Sequence, residues 1–428
     1  MTQVTHRELL PGVRLTAVQT NKFKSNLLSL SLMAPLAVET AAANALLPYV
    51  LRRGTRSHPD MEALSAALDE LYGGSIEPSV RKKGEAQAVG FVASFLDDAY
   101  APGETRILES AAGLLGELLL RPAAEDGRFR KDYVEGERSN LIDRIQAQVN
   151  EKRSYSILRL TQEMCAGEPY GVDRLGDEKS AAAITAEGLW ERYQALLVQA
   201  PVELYYCGSA DADRVAAALS AALDGLPRGA ELDEPDHGVQ DNATQEQPRL
   251  VTEAMDVTQG KLALGFRTGG ACVWEEDYPA LLVFNALYGG TPTSRLFLNV
   301  REKLSLCYFA SSMLEKFKGV MVVSSGIEFA NYEKAKAEIL AQLDNCRTGA
   351  FEDWELEGAR RAVVSSLRAA MDVQSRLEDY WLGQAVAGLE EPPQDLVDRV
   401  EAVTRAQVTA VAGKMELDTI YFLKGKED

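Results

Sequence analysis

A polar, acidic stretch near the middle of the chain constrains the fold more than any other feature. Residues 227–248 read PRGAELDEPDHGVQDNATQEQP and contain almost no large apolar side chains. Such a composition buries too little surface to fold by itself, so we expect a solvated acidic linker. The linker divides the 428 residues into halves of similar size. This predicts an N-terminal domain over residues 1–226 and a C-terminal domain over residues 249–428.

The two halves repeat short motifs in the same order, which indicates a duplicated unit. The matched pairs are Gly54-Thr55 with Gly290-Thr291, Tyr72 with Tyr308, Ala166-Gly167 with Ala387-Gly388, and Ile184-Thr185 with Val403-Thr404. The separation between partners shrinks along the chain, so the first half carries extra residues in its middle. A second register stays open, because Leu71-Tyr72-Gly73-Gly74 also resembles Leu287-Tyr288-Gly289-Gly290.

Each half combines strand and helix patterns. Alternating or continuous apolar residues predict strands over Asn26–Met33, Ala88–Phe95, Lys261–Phe266 and Val320–Ile327. Apolar residues spaced three and four apart predict helices over Arg106–Leu120, Lys131–Gln148, Tyr332–Asn345 and Trp354–Met371. Clustered strands followed by runs of helices favour an α+β class. We expect two tandem homologous domains, each a largely antiparallel sheet packed against helices.

The charge balance argues against several classes of partner. Lys and Arg total 45 against 64 Asp and Glu, a net charge of −19, which repels phosphate backbones and anionic lipid surfaces. The basic triplet Arg81-Lys82-Lys83 is isolated, and we expect it in a loop. No apolar run approaches the ~20 residues needed to span a bilayer. We therefore expect neither nucleic acid nor a membrane as a partner.

The first residues and the cysteines favour a cytoplasmic protein. The opening MTQVTHRELLPGVRL lacks the basic and apolar regions of a signal peptide. The cysteines are odd in number and show no CxxC spacing, so we expect buried thiols in a reducing compartment. They are Cys165, Cys207, Cys272, Cys307 and Cys346.

Two segments of the sequence resemble the insulinase/pitrilysin family of zinc peptidases. They are NALLPYVLRRGT at 44–55 and ALYGGTPTSRLFLNVREKLSLCY at 286–308. In the second segment GG, SRLF, VRE and the closing Tyr fall in the family's order, and the duplicated α+β halves with an acidic linker fit the same family. The resemblance covers nearly the whole chain and implies the family's fold.

The resemblance also implies that the family's zinc-binding residues are missing. Active members carry H-x-x-E-H on a helix, where two histidines bind zinc and the glutamate activates a bound water. Aligned on Gly54-Thr55, this motif falls on residues 45–49, which read ALLPY. The third ligand, a glutamate seven residues after another acid, falls on Arg144, while Glu137 matches that acid. A guanidinium there repels zinc, so we expect no metal and no cofactor.

No other catalytic pattern replaces the missing zinc site. The histidines His6, His58 and His237 lack ligand spacing, and we expect them in solvated loops. GxSxG, P-loop and GxGxxG patterns are absent from the sequence. We therefore predict no peptidase activity for this chain on its own. Catalysis with a metal bound elsewhere stays open as a minor alternative.

A second functional element of the family is retained. The resemblance matches the family's substrate-contacting Arg and Tyr, seven residues apart, to Arg301 and Tyr308. Both side chains donate hydrogen bonds and suit a peptide carbonyl or an oxyanion. Alternatively, Arg301 pairs with nearby acids at a helix end and Tyr308 packs at the start of a strand. Residues Gly289–Arg295 stand where the non-catalytic subunit of mitochondrial processing peptidase has a glycine-rich substrate loop, although a turn explains them equally well.

The resemblance predicts the non-catalytic subunit of a heterodimeric zinc metallopeptidase. In the two-subunit members, including mitochondrial processing peptidase with its alpha subunit, one chain supplies zinc and the other supplies the Arg and Tyr around an enclosed peptide. We therefore expect a zinc-bearing peptidase subunit of the same family and a peptide substrate as partners. The alternatives are a structural or peptide-binding scaffold with no proteolytic role, and a homodimer that sequesters peptides.

Overall fold

The segments with the clearest apolar patterns fold close to their predicted limits. The computed structural model describes residues 2–103 and 105–426. The strand predicted over Asn26–Met33 runs over Ser25–Pro35, and the helix predicted over Arg106–Leu120 runs over Ile107–Leu120. This agreement follows from the periodicity of the apolar residues, because it matches the side-chain repeat of the element that buries them.

Strands and helices follow one another in a similar order in the two halves. The strands are β1 Gln3–Leu10, β2 Val13–Gln19, β3 Ser25–Pro35, β4 Ser75–Lys83, β5 Ala86–Leu96, β6 Ala124–Glu125, β7 Arg128–Phe129, β8 Val202–Gly208, β9 Arg249–Met255, β10 Gly260–Arg267, β11 Cys307–Glu315, β12 Val320–Ile327 and β13 Glu416–Gly425. The α-helices are α1 Ala41–Leu51, α2 Met61–Glu70, α3 Ile107–Leu120, α4 Lys131–Ala147, α5 Lys152–Met164, α6 Glu178–Ala182, α7 Ala186–Gln199, α8 Ala212–Ala222, α9 Tyr278–Asn285, α10 Tyr332–Arg347, α11 Asp353–Ala370, α12 Gln374–Ala387, α13 Pro393–Glu401 and α14 Arg405–Lys414. Two π-helical segments, Ala286–Gly290 and Leu296–Lys303, follow α9.

Five strands of the first large sheet, all except β1, have the same topology as the second large sheet, which confirms the predicted α+β class with duplicated, largely antiparallel sheets. The first sheet has the strand order β1-β2-β8-β3-β5-β4, and the second has the order β11-β12-β10-β13-β9. In the first sheet β8 is parallel to β2 and antiparallel to β3. In the second sheet β13 is likewise parallel to β9 and antiparallel to β10.

The repeated motifs occupy equivalent positions in the two halves. Thr185 caps α7 by accepting a hydrogen bond from Gly188 N at 3.0 Å, and Thr404 caps α14 in the same way through Gln407 N. Helix α1 and helix α9 each precede one of the two Gly-Thr pairs. The register that pairs the Gly-Thr motifs is therefore the one that superimposes equivalent elements.

Each compact unit takes one helix from the other half of the sequence. One unit consists of residues 1–146, 172–236 and 372–388, and the other consists of residues 147–171, 237–371 and 389–428. Helix α5 thus packs on β10 and β13. It approaches so closely that a Cβ at Gly265 would lie 2.5 Å from Met164 Sδ, so β10 requires a glycine there.

Helix α12 belongs in the same way to the first unit, where it covers one face of the first sheet. The opposite face packs against α1, α3, α7 and α8 in the main core. Against α12 lie Val18, Leu27 and Tyr205 from the sheet, with Leu377 and Trp381 from the helix. Both faces of β3 are therefore buried, although its sequence alternates between leucine and serine.

The prediction that Arg81-Lys82-Lys83 forms a loop is wrong. The triplet ends strand β4, because the acids that neutralise it are supplied by α12, far away in the sequence. Arg81 Nη1 donates to Glu378 Oε2 at 2.6 Å and Arg81 Nη2 donates to Glu378 Oε1 at 2.8 Å. Lys83 Nζ lies 2.6 Å from Asp379 Oδ1.

The acidic stretch 227–248 has no regular secondary structure and is mostly exposed. Its beginning is nevertheless held in place by the guanidinium of Arg228. This group donates to the carbonyl oxygens of Pro11, Leu197 and Ala200 at 2.9 to 3.0 Å. Because these are backbone contacts, the stretch follows a fixed path at its start while its acidic side chains face water.

The predicted burial of the cysteines is confirmed for four of them, while Cys307 is partly exposed. Burial raises the pKa of the Cys207, Cys272, Cys307 and Cys346 thiols. These thiols stay protonated near neutral pH and are weak nucleophiles. Over residues 2–103 and 105–426, no helix combines the length and the apolarity needed to cross a bilayer.

A buried glutamate in the first sheet gives the fold a pH dependence. Burial raises the pKa of Glu203 on β8 to about 7, although Arg14 opposes this rise and donates to Glu203 Oε1 at 2.7 Å. The carboxylate of Glu234 raises the pKa further. Between pH 4.5 and 7 the folded chain therefore binds a proton here that the unfolded chain releases, and stability falls as the pH rises.

We expect Glu203→Gln to flatten that dependence. The measurement is the urea midpoint at pH 5.5 and pH 7.5 for wild type and variant. Wild type should lose more stability than the variant between pH 5.5 and pH 7.5, because residue 203 ionises over this interval as glutamate but cannot ionise as glutamine. Glu231→Gln, at an exposed position, serves as the control and should follow wild type. Equal slopes for all three proteins would show that Glu203 keeps an ordinary pKa.

Candidate functional site

Helix α1 carries the residues that occupy the family's metal positions in the alignment. Ala45 has no exposed surface and offers only a methyl group. Pro48 stands inside the helix at the position of the catalytic glutamate, where it removes both a proton acceptor and a backbone N–H. Tyr49, at the second histidine position, is partly exposed.

Arg144 on α4 meets Tyr49, as expected if both stand at metal-ligand positions. The guanidinium carbon of Arg144 lies 3.8 Å from the centre of the Tyr49 ring. Arg144 Nε donates to the carbonyl oxygen of Asn140 at 3.2 Å. Glu137, two turns earlier on α4, is buried and accepts from Arg53 at 3.3 Å and from Asn140 at 3.2 Å. A cation–π pair therefore joins two of the positions at which the alignment places the zinc ligands.

These residues do not fit a zinc ion. Zinc requires imidazole, thiolate or carboxylate ligands, whereas the four aligned positions supply a methyl group, a proline ring, a phenol and a guanidinium. The guanidinium also adds a positive charge where a cation would bind. Nowhere in the two described ranges do three or more His, Cys, Asp or Glu side chains converge as a metal site.

The prediction that the three histidines lie in solvated loops is wrong for His6, and all three are only partly exposed. His6 lies on β1, where its ring centre is 5.2 Å from that of Trp381. His58 lies 3.4 Å from Glu117 Oε2 in the loop after α1. The ring of His237 lies 5.5 Å from that of Trp274. Aromatic packing and a neighbouring acid thus account for the partial burial of these side chains.

Arg301 and Tyr308 lie close together on the second unit and are both accessible. Arg301 belongs to the second π-helical segment, and its side chain is 41% exposed. Its guanidinium contacts the Phe297 ring at 4.7 Å and Glu302 at 3.5 Å. Tyr308 at the start of β11 is 50% exposed and donates to Glu328 Oε1 at 3.3 Å. Neither the Arg301 nor the Tyr308 side chain is buried in the core.

The two side chains line one open pocket of about 340 Å³. Glu302, Ser305, Cys307, Glu328 and Asn331 are among the residues that complete it. The pocket thus combines N–H and O–H donors with two carboxylates. Such an arrangement can hold a peptide by donating hydrogen bonds to its carbonyl oxygens.

The sequence did not single out Glu328, although a signal for it exists. Strands β11 and β12 form an antiparallel hairpin in which Cys307 pairs with Ile327. Because Tyr308 and Glu328 each adjoin this pair, hairpin pairing of the predicted strand Val320–Ile327 would have placed them together. The stacking of Arg144 on Tyr49 was also missed, since the alignment located both residues without indicating that they attract each other.

Within Gly289–Arg295, the two glycines end the first π-helical segment and residues 291–294 form a turn into the second, which supports the structural interpretation of this segment. A Cβ at Gly289 would lie 2.6 Å from Ser312 N, so the close approach of β11 accounts for this glycine. Arg295 is buried, and its Nη1 donates to both carboxylate oxygens of Glu355 at 2.9 and 3.0 Å. Its side chain therefore anchors the segment to α11.

Comparison with known proteins places the chain among peptidase relatives. Residues 183–363 match the family described as Peptidase M16 inactive domain. The chain is 38% identical over 416 residues to the "Probable inactive metalloprotease YmfF" of Bacillus subtilis, which covers 97% of this chain and 96% of that protein. A weaker match from the same bacterium is the "Uncharacterized zinc protease YmxG", 24% identical over 177 residues, or 40% of this chain and 43% of that protein.

The fold is shared with solved structures along the whole length. A conserved protein from Enterococcus faecalis V583 superimposes with a TM-score of 0.90 at 28% identity, covering 99% of both chains. The extent of the match to YmfF, together with the residues at positions 45, 48, 49 and 144, determines the assignment. This chain belongs to the M16, or insulinase/pitrilysin, family of peptidases, as a member without the residues that form the family's zinc site.

Proposed function

We propose that this chain is the zinc-less subunit of a heterodimeric M16 peptidase and supplies Arg301 and Tyr308 to a partner's active site. The observation that supports this best is a contrast between two places in the fold. At the metal positions Arg144 stacks on Tyr49, whereas Arg301 and Tyr308 stay exposed beside one pocket. The chain has thus lost the means to activate water and kept donors that contact a peptide.

The chemistry of the two retained side chains suits such a role. A guanidinium and a phenol hydroxyl both donate hydrogen bonds. Directed at a peptide carbonyl, they would stabilise the negative charge that develops on its oxygen during cleavage by a zinc-bearing partner. This chain would then position the peptide and its charge, while bond cleavage depends on the zinc-bearing subunit.

The relatives support the existence of a suitable partner. In Bacillus subtilis, a relative named as a probable inactive metalloprotease occurs together with one named as an uncharacterized zinc protease, and both are similar to this chain. A single cell can therefore contain one relative named as inactive and another that is a candidate to bear zinc. We propose that the partner of this chain is a zinc-bearing M16 subunit of similar size.

The proposal predicts a stable complex with new activity. Affinity purification from the native cell, followed by mass spectrometry, should recover a near-equimolar partner carrying H-x-x-E-H. Mixing the two purified subunits should cleave a fluorogenic peptide library, while each subunit alone leaves it intact. As a control, replacing the catalytic glutamate of the partner should abolish cleavage without preventing assembly.

The opposite outcome has an equally clear meaning. Recovery of this chain alone, at good yield in mild buffer, would contradict the heterodimer. In that case a mass of two subunits in light scattering and retention of labelled peptides without cleavage would support a homodimeric scaffold. Arg301 and Tyr308 would then serve peptide binding or structure only.

A further inference from the structure

The guanidinium at the former metal position has few partners in the protein. Arg144 donates one hydrogen bond, from Nε to the carbonyl oxygen of Asn140 at 3.2 Å. Its Nη2 is shielded from solvent and has no hydrogen-bond partner. Among the described residues, no carboxylate lies within ion-pair distance of it. A charged N–H group in this state is unfavourable, because it has lost water and gained no acceptor.

A second arginine close to these helices is also incompletely paired. Arg53 lies two residues beyond Leu51, the end of α1, and its Nε is shielded without a partner. Its Nη1 reaches Glu137 at the long distance of 3.3 Å, and Glu137 is shared with Asn140. Two arginines with unmet N–H groups thus lie beside α4, one of them stacked on Tyr49 of α1, where the alignment places the zinc ligands.

We infer that the former zinc position of this chain has become a binding site for a carboxylate. A guanidinium presents two N–H groups in a fork that matches the two oxygens of a carboxylate. Stacking on Tyr49 holds that fork in one plane, which reduces the entropy lost on binding. The charge of the site has been reversed, so the ligand is an anion in place of a metal cation.

The chemistry identifies the ligand as a peptide carboxylate, carried either by a free C-terminus or by an Asp or Glu side chain. Tyr49 and Arg144 are both partly exposed, so a ligand can approach the pair from solvent, and it reaches the shielded Nη2 once the guanidinium turns outward on the Tyr49 ring. This site lies on the first unit and uses neither Arg301 nor Tyr308. It can therefore exist whether or not the chain assembles with a zinc-bearing subunit.

The test uses three short peptides at constant ionic strength and pH 7. Trialanine carries a terminal carboxylate, trialanine amide carries none, and acetyl-Ala-Glu-Ala-amide carries only a side-chain carboxylate. A ligand that binds the folded state raises the melting temperature in a saturable way. We expect saturable stabilisation of the full chain by at least one carboxylate peptide and none by trialanine amide. Which carboxylate peptide acts distinguishes the two sources of the ligand.

Variants at Arg144 connect the effect to this site. Arg144→Met keeps the length of the side chain and should raise the dissociation constant at least about tenfold, as expected for loss of a charge-assisted hydrogen bond. Arg144→Lys keeps the charge without the fork and should also weaken binding. Arg138→Met, on the same helix and partly exposed, is the matched control and should bind like wild type.

Clear outcomes would overturn the inference. If neither carboxylate peptide raises the melting temperature of wild type, the arginine serves only to fill the old metal position. If Arg144→Met and Arg144→Lys respond as strongly as wild type, the carboxylate binds elsewhere. Circular dichroism of each variant at the start of the experiment confirms that the compared proteins are folded.

Discussion

Replacing Arg301 with methionine and Tyr308 with phenylalanine is expected to lower the kcat of the assembled peptidase by at least about 100-fold. The estimate follows from enzymes in which removal of one hydrogen-bond donor to a developing oxyanion lowers kcat by about 10²–10³. Both substitutions remove only the polar end of a side chain. The shape of the pocket around residues 301 and 308 should therefore be retained.

The magnitude is plausible because neither donor is tied up within the chain. The guanidinium of Arg301 lies 3.5 Å from a carboxylate oxygen of Glu302, whose side chain is 53% exposed, and exposed ion pairs are weak. The hydroxyl of Tyr308 has a single long contact with Glu328 at 3.3 Å. A substrate carbonyl can therefore compete for both donors at little energetic cost.

Two measurements and one control variant make this experiment decisive. Single-turnover cleavage by the mixed subunits reports the chemical step, and light scattering of the mixture confirms assembly. Lys303→Met, two residues from Arg301 and exposed in the same segment, removes a positive charge and should leave kcat unchanged. If the double variant assembles and cleaves at the wild-type rate, then Arg301 and Tyr308 do not act on the substrate. The two subunits would then form a heterodimer without a shared active site.

Local patterns predicted most of the fold, because the apolar spacing of a segment reports its own period. Strand β12 over Val320–Ile327 was predicted to the residue. The packing of α5 and α12 on the sheet of the other half could not be predicted in this way. The apolar face of a helix predicts that the helix packs against a sheet, but it does not say which sheet. The basic triplet at 81–83 was misassigned for the same reason, because its acidic partners lie almost 300 residues away in the sequence.

The candidate site was predictable only where a residue type carries its own chemistry. The loss of zinc follows directly from Ala45, Pro48 and Tyr49, since none of these side chains is a metal ligand. What replaced the metal depends on geometry, namely that Arg144 reaches the face of Tyr49 at 3.8 Å. The pocket at Tyr308 likewise depends on strand pairing that brings Glu328 beside it.

Removing the carboxylate of Glu378 should destabilise the first unit strongly, because it leaves Arg81 without its partner in a mostly buried ion pair. Glu378 is only 3% exposed and binds both terminal nitrogens of Arg81, while Ser29 donates to it at 2.8 Å. We expect Glu378→Ala to lower the free energy of unfolding by about 3 kcal/mol, as is typical when a buried ion pair loses one partner. This value lies at the low end of the cost of about 3–5 kcal/mol for breaking a buried ion pair, because the side chain of Arg81 is 22% exposed.

A double variant separates the role of the charge from the role of packing. Arg81→Met with Glu378→Leu replaces the pair by apolar groups and should lie within about 1 kcal/mol of wild type, since such exchanges are often neutral. Glu401→Ala breaks the half-exposed pair with Arg368 and should change stability by less than about 1 kcal/mol. Urea titrations of the full chain provide all three free energies.

Comparing the free energies of unfolding of these variants also tests what holds α12, a helix from the second half of the sequence, on the first sheet. Apolar contacts of Leu377 and Trp381 supply area, but they tolerate sliding along the sheet. The bidentate pair with Arg81 accepts one position only, because both nitrogen–oxygen distances must be met together. If Glu378→Ala is no more destabilising than Glu401→Ala, apolar packing alone holds α12. A large loss that the double variant restores would show that the pair selects the position and contributes little net stability.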